Sequence, residues 1–332
     1  MQPTNSQHSL NKHIGGFIES LILDRRVHAK SLVSTLYGDM VVTNDGFAWV
    51  ETVCAALELL GVNDRLVRTA LFRLREDGWV TATRSGRKSY YQLTESADAQ
   101  TRQAEQRIYY SDTPSWDGSW VLIFLLAPSL DAELRREFEQ ELGWIGFGAM
   151  SKRVWAYPGN KFELISEKIN RLDLTGKVIA MRCKNIHEVD LGLNIDDREL
   201  AAMCMPISEV ESIYKQFIQD FSPLIDEYGV FSMQGNNAEM LSLRLLMMDE
   251  YRRATLRDPH LPRALLPDNW AGHEAFVLCG KIYKQIYKAA NMHYKELQRN
   301  AGVVDVVDGD GADKSTRPLS YDGRFLAETI NK

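Results

Sequence analysis

The chain of 332 residues lacks closely spaced cysteines. Cys54, Cys183, Cys204 and Cys279 are scattered, and no CxxC occurs, which excludes a zinc knuckle or a redox pair. Four isolated cysteines in a long chain suit a reducing compartment, where they serve as small buried hydrophobes. Long apolar runs are also missing. The longest, residues 120–127, has eight residues, whereas a membrane-spanning helix needs about 20. The polar start, MQPTNSQHSLNKH, has no apolar stretch of the kind a signal peptide requires. These absences lead us to expect a soluble, cytoplasmic protein with no membrane partner.

Catalytic signatures are absent as well: there is no GxSxG, HExxH or GxxxxGK[ST], the spacings that place a nucleophile, a zinc pair or a phosphate cradle. Gly146-Phe147-Gly148 approaches a dinucleotide loop, but Ser151 stands where the third glycine belongs. DGDGAD at 308–313 hints at a calcium loop, yet Ala312 fills a ligand position and no Glu closes it. The pair Asp196-Asp197 is read as a helix cap. No catalytic residue, metal or cofactor is therefore expected, and no enzyme activity.

Formal charge is −6, from 39 basic and 45 acidic residues, with 45% hydrophobic and 25% charged residues. Those are ordinary globular values, and the length allows two or three domains. An acidic total excludes a uniformly basic nucleic-acid coat but not a local basic surface.

Hydrophobic periodicity divides the chain. Residues 1–30 form an N-terminal extension, ending in a helix near 14–26. Residues 31–94 form a compact unit of three helices, SLVSTLYGDM, WVETVCAALELLG and DRLVRTALFRLREDGWV. It closes in two strands around a Ser-Gly-Arg-Lys turn. Residues 95–118 read as a connecting helix and linker. Over 119–205 strand, helix, strand, helix and strand alternate, which is most of a ferredoxin-like α+β sandwich. Residues 206–300 are helical, with one helix expected over 206–232. Residues 301–332, rich in Gly and Asp, are expected to be a flexible tail. The fold class is thus α+β.

The third helix concentrates the signal. Projected at 100° per residue from Arg65, Leu66, Val67, Ala70, Leu71 and Leu74 fall between about 100° and about 240°. Arg65, Arg68, Thr69, Phe72, Arg73, Arg75 and Glu76 cover the other arc. Phe72 is expected to pack against a neighbouring helix. Asn63 or Asp64 can cap the start, and Gly78 can stop the helix. From Arg65 to Tyr91 seven basic residues face two acids, a surplus of five in 27 residues. Guanidinium groups bond two acceptors at once on guanine or phosphate. Helix, helix, basic helix and a hairpin tipped by Arg87 and Lys88 is the order of a winged helix-turn-helix. The competing reading is a solvated face with no partner. A basic hairpin directly after the arginine face favours DNA.

These residues resemble a known family. SLVSTLYGD (31–39), NDRLVRTALFRLREDGWV (63–80) and GRKSYYQLT (86–94) are similar to the N-terminal domain of the PaaX family of phenylacetic acid degradation operon repressors. The likeness continues through RIYY…PSWDGSW (107–120), GWIGFGA (143–149), YKQFIQDFSPL (214–224) and EYRRATLRDPHLPRALLPDNWAGHEA (250–275). It spans about residues 30–300. It implies a winged helix-turn-helix, a central ferredoxin-like dimerisation domain and a helical C-terminal domain. The function it implies is a transcriptional repressor released from a palindromic operator in double-stranded DNA by phenylacetyl-CoA.

On that basis Arg65, Arg68, Thr69 and Arg73 are expected to read bases, and Arg75, Arg84, Arg87 and Lys88 to hold phosphates. A homodimer is expected from the palindrome, with a free sheet edge as a pairing site. An acyl-CoA effector needs cations for its phosphates and an apolar slot. Arg252, Arg253, Arg257, His260, Arg263, Trp270, His273 and Tyr283 are the candidates, with inter-helix packing the competing explanation. Two other functions stay open: a regulator of the same build sensing another acyl-CoA or aromatic acid, and a small-molecule-binding or nuclease-like protein using the ferredoxin-like core.

Overall fold

A computed structural model describes residues 13–23, 27–110, 115–126, 130–184, 195–226, 228, 231–302, 324 and 325. The chain forms two compact units that do not follow the consecutive boundaries read from the sequence. The first joins 1–111 to 214–256 and 272–332, and the second joins 112–213 to 257–271. The helical C-terminal region therefore completes the N-terminal unit, except for one loop that folds with the central sheet.

In the first unit α1 (Ile14–Leu23) precedes α2 (Ala29–Leu36), which continues as a π-helical turn over Tyr37–Val41. β1 (Phe47–Trp49) takes the start of the expected second helix, leaving α3 as Val50–Glu58. α4 (Asp64–Glu76) follows, then β2 (Val80–Ser85) and β3 (Lys88–Leu93). The strands form an antiparallel sheet in the order β1-β3-β2, with Val80 opposite Leu93 and Ser85 opposite Lys88. α5 (Glu95–Tyr109) is more than a connector, because Glu105, Ile108 and Tyr109 are buried.

The second unit begins with β4 (Ser119–Leu125), α6 (Ala132–Ile145), β5 (Gly148–Ser151) and β6 (Val154–Pro158). α7 (Phe162–Arg171) and β7 (Val178–Lys184) complete it. The second of the three strands expected over 119–205 is thus a hairpin of two. Strand–helix–strand–strand–helix–strand gives a four-stranded antiparallel sheet in the order β5-β6-β4-β7. One core holds Val121, Ile123 and Leu125 of β4 against Phe138 and Leu142 of α6 and Ile165 of α7. The GFG segment is a helix end. Gly146 stops α6 at φ 100°, and a Cβ on Gly148 would lie 2.3 Å from the Cys204 carbonyl oxygen. β7 is an outer strand, and Ile179 and Met181 on it are more than two-fifths exposed. Asp196 caps α8 (Asp197–Cys204) through a reciprocal bond pair with Glu199, as the acid pair suggested.

The helix expected over 206–232 ends early. α9 covers Ile207–Phe221, and Pro223 sits in a tight 3-10 turn over Ser222–Leu224. α10 (Asn237–Thr255) is buried on nearly every side, with an unbroken run from Leu241 to Met248. That buried run includes Arg244, so this helix of the first unit carries a guanidinium into the core. α11 (Ala271–Ala301) is 31 residues long. Within the expected tail, Arg324 and Phe325 are each 2% exposed, so these two residues are core rather than flexible. The DGDGAD segment lies outside the described residues.

Candidate nucleic-acid interface

α4 has defined ends. The Asn63 side chain accepts from the Leu66 N–H at 3.1 Å, an N-cap. At the other end Gly78 adopts φ 67°. Its N–H bonds the Arg75 carbonyl, and that of Trp79 bonds the Leu74 carbonyl, closing a Schellman motif. Val67, Ala70, Leu71 and Leu74 are buried, at the i, i+3, i+4, i+7 spacing of one face. α2 packs against that face.

Arg65, Arg68, Thr69, Arg73 and Arg75 are all exposed on the opposite side. Arg68 lies 3.7 Å from Asp64 and Arg75 3.5 Å from Glu76. Such solvent-exposed pairs hold a guanidinium weakly. The Thr69 hydroxyl donates to its own helix at the Arg65 carbonyl, 2.7 Å away. Arg84 and Arg87 are exposed on and beside the hairpin turn. Arg65, Arg73, Arg84 and Arg87 make no ion pair among the described residues. Gly86 takes φ 59° at the first central position of this two-residue turn, the place a type II′ turn reserves for glycine.

One expectation for this surface is corrected, the packing of Phe72 against a neighbouring helix. Leu66, at the margin of the apolar arc, is 47% exposed, and Phe72 is 53% exposed rather than packed on another helix. The Arg75 guanidinium lies over the Phe72 ring, 5.4 Å from its centre. The exposed face therefore carries apolar groups among its cations. Lys88, assigned to phosphate, turns its ammonium onto the Ala301 carbonyl at the C-terminus of α11, where helix polarity favours a cation. Nearby, Trp49 Nε1 donates to the Gly302 carbonyl at 3.1 Å and Gln298 Nε2 to the Phe47 carbonyl at 2.9 Å. The end of α11 is thus fastened to β1 and to the hairpin.

The eight effector candidates fall four in each unit. In the second, Arg257 pairs with Glu209 at 3.1 Å, and Arg263 bonds the Asp268 carbonyl. His260 adopts φ 50°, its N–H bonded to Asp258 at 2.8 Å, and Trp270 is buried. In the first, Arg252 donates to the Thr35 hydroxyl at 2.6 Å, Arg253 pairs with Glu250 at 2.6 Å, and His273 is exposed.

Tyr283 is fully buried in a polar cluster that the sequence reading missed. Its hydroxyl donates to Asp39 Oδ1 at 2.8 Å and accepts from Arg244 at 2.8 Å and Arg324 at 3.1 Å. Asp39 also accepts from Tyr109 at 2.5 Å, Arg244 Nε at 2.6 Å and Arg324 at 3.1 Å. Arg324 makes two further bonds to Glu105, at 3.0 and 2.6 Å. Two carboxylates thus face two guanidinium groups. Burial alone would raise the Asp39 carboxyl, but Arg244 and Arg324 beside it, with bonds from Arg244 and Tyr109, hold it below its ordinary value. Burial pushes the Tyr283 hydroxyl up to about 12, so it stays a neutral donor. A legible signal existed: Asp39 in STLYGDMVV and Arg244 in LSLRLLMM are lone charges of opposite sign in apolar runs.

Among the described residues no group of three or more His, Cys, Asp or Glu could hold a metal. No helix among them is long and apolar enough to cross a membrane. Cys54 and Cys279 are buried, and Cys183 and Cys204 half-buried; burial raises the Cys54 thiol to about 12.

Comparison with known proteins follows the same three stretches. Residues 28–97 match the PaaX-like protein family, 113–192 the PaaX protein central Cas2-like domain, and 206–296 the PaaX-like protein C-terminal domain. The chain is 35% identical over 277 residues to the transcriptional repressor PaaX of Escherichia coli K12, covering 82% of this chain and 85% of that protein. In fold it is similar to an uncharacterized protein of Mycobacterium tuberculosis, with TM-score 0.52, 19% identity, and coverage of 80% of this chain and 98% of that one. Three family matches in order, and a relative this similar over most of its length, lead to one conclusion: the chain belongs to the PaaX-like protein family.

Proposed function

We propose that this protein is a DNA-binding transcriptional repressor of phenylacetate catabolism genes. One observation carries the reading: α4 presents Arg65, Arg68, Arg73 and Arg75 together on a face opposite its buried stripe. Three helices followed by a hairpin bearing Arg84 and Arg87 make a winged helix-turn-helix in this reading. α4 enters the major groove and the hairpin lies along the backbone. Arg65, Arg68, Thr69 and Arg73 meet base edges, while Arg75, Arg84 and Arg87 meet phosphates. Lys88 is set apart from the phosphate set in this reading because one of its three donors is held by the Ala301 carbonyl, which draws the ammonium towards α11.

The test compares gel shifts on operator and scrambled duplex at two salt concentrations. Arg68→Ala should lose about 1–3 kcal/mol on operator alone, and Arg87→Ala should weaken both duplexes and lower the salt slope by about one. Equal losses on both duplexes for Arg68→Ala remove it from the base-reading set.

A palindromic operator calls for a two-fold symmetric protein. The central βαββαβ sheet, ferredoxin-like in this reading, offers the outer strand β7 with Ile179 and Met181 exposed. Phenylacetyl-CoA as the releasing ligand is part of the proposal. Its candidate phosphate ligands are the exposed Arg253 and His273 in the first unit or, alternatively, the exposed Arg257 and Arg263 in the second. Tyr283, sealed among four charged groups, is not one. Titration calorimetry with phenylacetyl-CoA on Arg253→Ala and His273→Ala decides that assignment, since unchanged affinity in both places the site elsewhere.

A further inference from the structure

Two residues near the C-terminus occupy a built site in the first unit. Arg324 gives its guanidinium to Glu105, to Asp39 and to the Tyr283 hydroxyl. Its carbon Cζ lies 4.1 Å from the centre of the Tyr109 ring, a cation–π distance. Phe325 has Tyr109, Tyr283 and Phe276 around it, with ring centres 5.2, 5.1 and 5.3 Å away. The Phe325 N–H bonds the Tyr109 carbonyl at 3.1 Å.

The receptor is shaped for this pair in two independent ways. Without Arg324, Asp39 would lose one of the two guanidinium groups beside it and the buried Glu105 would lose the two bonds that it accepts from Arg324. Gly280 lies inside α11, where glycine disfavours a helix relative to alanine by about 1 kcal/mol. A Cβ there would sit 3.1 Å from the Phe325 Cβ, so the missing side chain makes a notch that the phenyl group fills.

We propose that Asp39, Glu105, Tyr109, Tyr283 and the notch at Gly280 form a receptor site for an arginine–aromatic pair, and that Arg324–Phe325 of the same chain is its ligand. Residues 303–323 tether this ligand to the end of α11. The receptor draws on the π-helical turn, α5 and α11, while α2, which leads into that turn, packs behind α4. Docking of the C-terminal pair therefore supports the scaffold of the arginine helix.

Because an internal ligand should survive loss of its tether, the test uses the full chain with a protease recognition sequence between Gly311 and Ala312. After cleavage the C-terminal fragment should co-elute with the body on gel filtration. It should separate when Arg324→Ala and Phe325→Ala are combined, and be held less tightly with Arg324→Lys, which keeps the charge but not the fork. Separation of the wild-type fragment from a folded body, or equal retention of the double-alanine fragment, overturns the proposal. A second measurement needs no cleavage. In the intact chain Gly280→Ala should speed hydrogen exchange at the Phe325 amide by about tenfold or more despite its better helix propensity. With Phe325→Ala already present, Gly280→Ala should have no such effect. An unchanged Phe325 exchange rate in Gly280→Ala overturns the notch as part of the site.

Discussion

Replacing Asp39 by asparagine keeps the side-chain shape and removes one charge from a site with no exposure to solvent. In the native protein Asp39 and Glu105 balance Arg244 and Arg324. In Asp39→Asn the buried Arg244 guanidinium loses its carboxylate and Arg324 keeps only Glu105, and the new amide N–H group adds donors where donors are in surplus. Breaking a buried pair in this way costs about 3–5 kcal/mol. For a unit of roughly 200 residues each kcal/mol lowers Tm by about 2–4 °C, so a fall of about 6–20 °C is expected by scanning calorimetry at neutral pH. The compensating variant is Asp39→Asn with Arg244→Met, which leaves the Arg324–Glu105 pair intact and should recover at least half the loss. A fall below about 2 °C in the single variant, or a double variant whose loss equals the sum of the two singles, would refute the charge-balance reasoning. The sign with pH also follows. The Asp39 carboxyl is held below its ordinary value of 3.8, so its contribution is fully present above that value. It is lost as pH falls through the depressed folded value. The gap between wild type and Asp39→Asn should be constant from neutral pH to about pH 5 and should close in stronger acid.

Phe72→Ala should change stability by less than about 0.5 kcal/mol, because the ring is exposed, while weakening operator binding in gel shifts; unchanged binding would take Phe72 out of the interface. Lys88→Ala should lower stability by about 0.3–1 kcal/mol in denaturant titrations, by uncapping α11, and leave the salt slope of DNA binding unaltered. A slope reduced by one would return Lys88 to the phosphate set. Gly86→Val should loosen the hairpin by roughly 1–2 kcal/mol, since a side chain at φ 59° is strained; hydrogen exchange at Ser89–Leu93 checks it. Met181→Arg on β7 should shift the sedimenting species towards the 37.8 kDa monomer, and a dimer undisturbed by it would place the pairing surface elsewhere.

Local signals marked α4 well in the sequence. Its caps, Asn63 and Gly78, act through neighbours within five residues, and its buried stripe repeats at helical spacing. The hairpin was legible for the same reason, since Gly86 and the alternating Thr, Tyr and Val residues are local. What escaped was set by distant partners. Phe72 and Lys88 look alike in any window whether they face solvent, a helix or DNA; only the position of α11 decides that Lys88 has a carbonyl to bind. The division of the effector candidates between two units was equally illegible, because residues 257–271 fold with the central sheet while α10 and most of α11 complete the N-terminal unit. Periodicity finds helices and does not say which unit claims them. The β5–β6 hairpin was missed because Ser151 to Arg153 turn without the usual glycine.

α11 rises over about 45 Å at 1.5 Å per residue. Its first residue, Ala271, is counted with the second unit, its middle places Tyr283 in the Asp39 cluster, and its last turn holds β1 and Lys88. The seating of α11 and the position of the hairpin are thus coupled at one point, the bond from Lys88 to the Ala301 carbonyl.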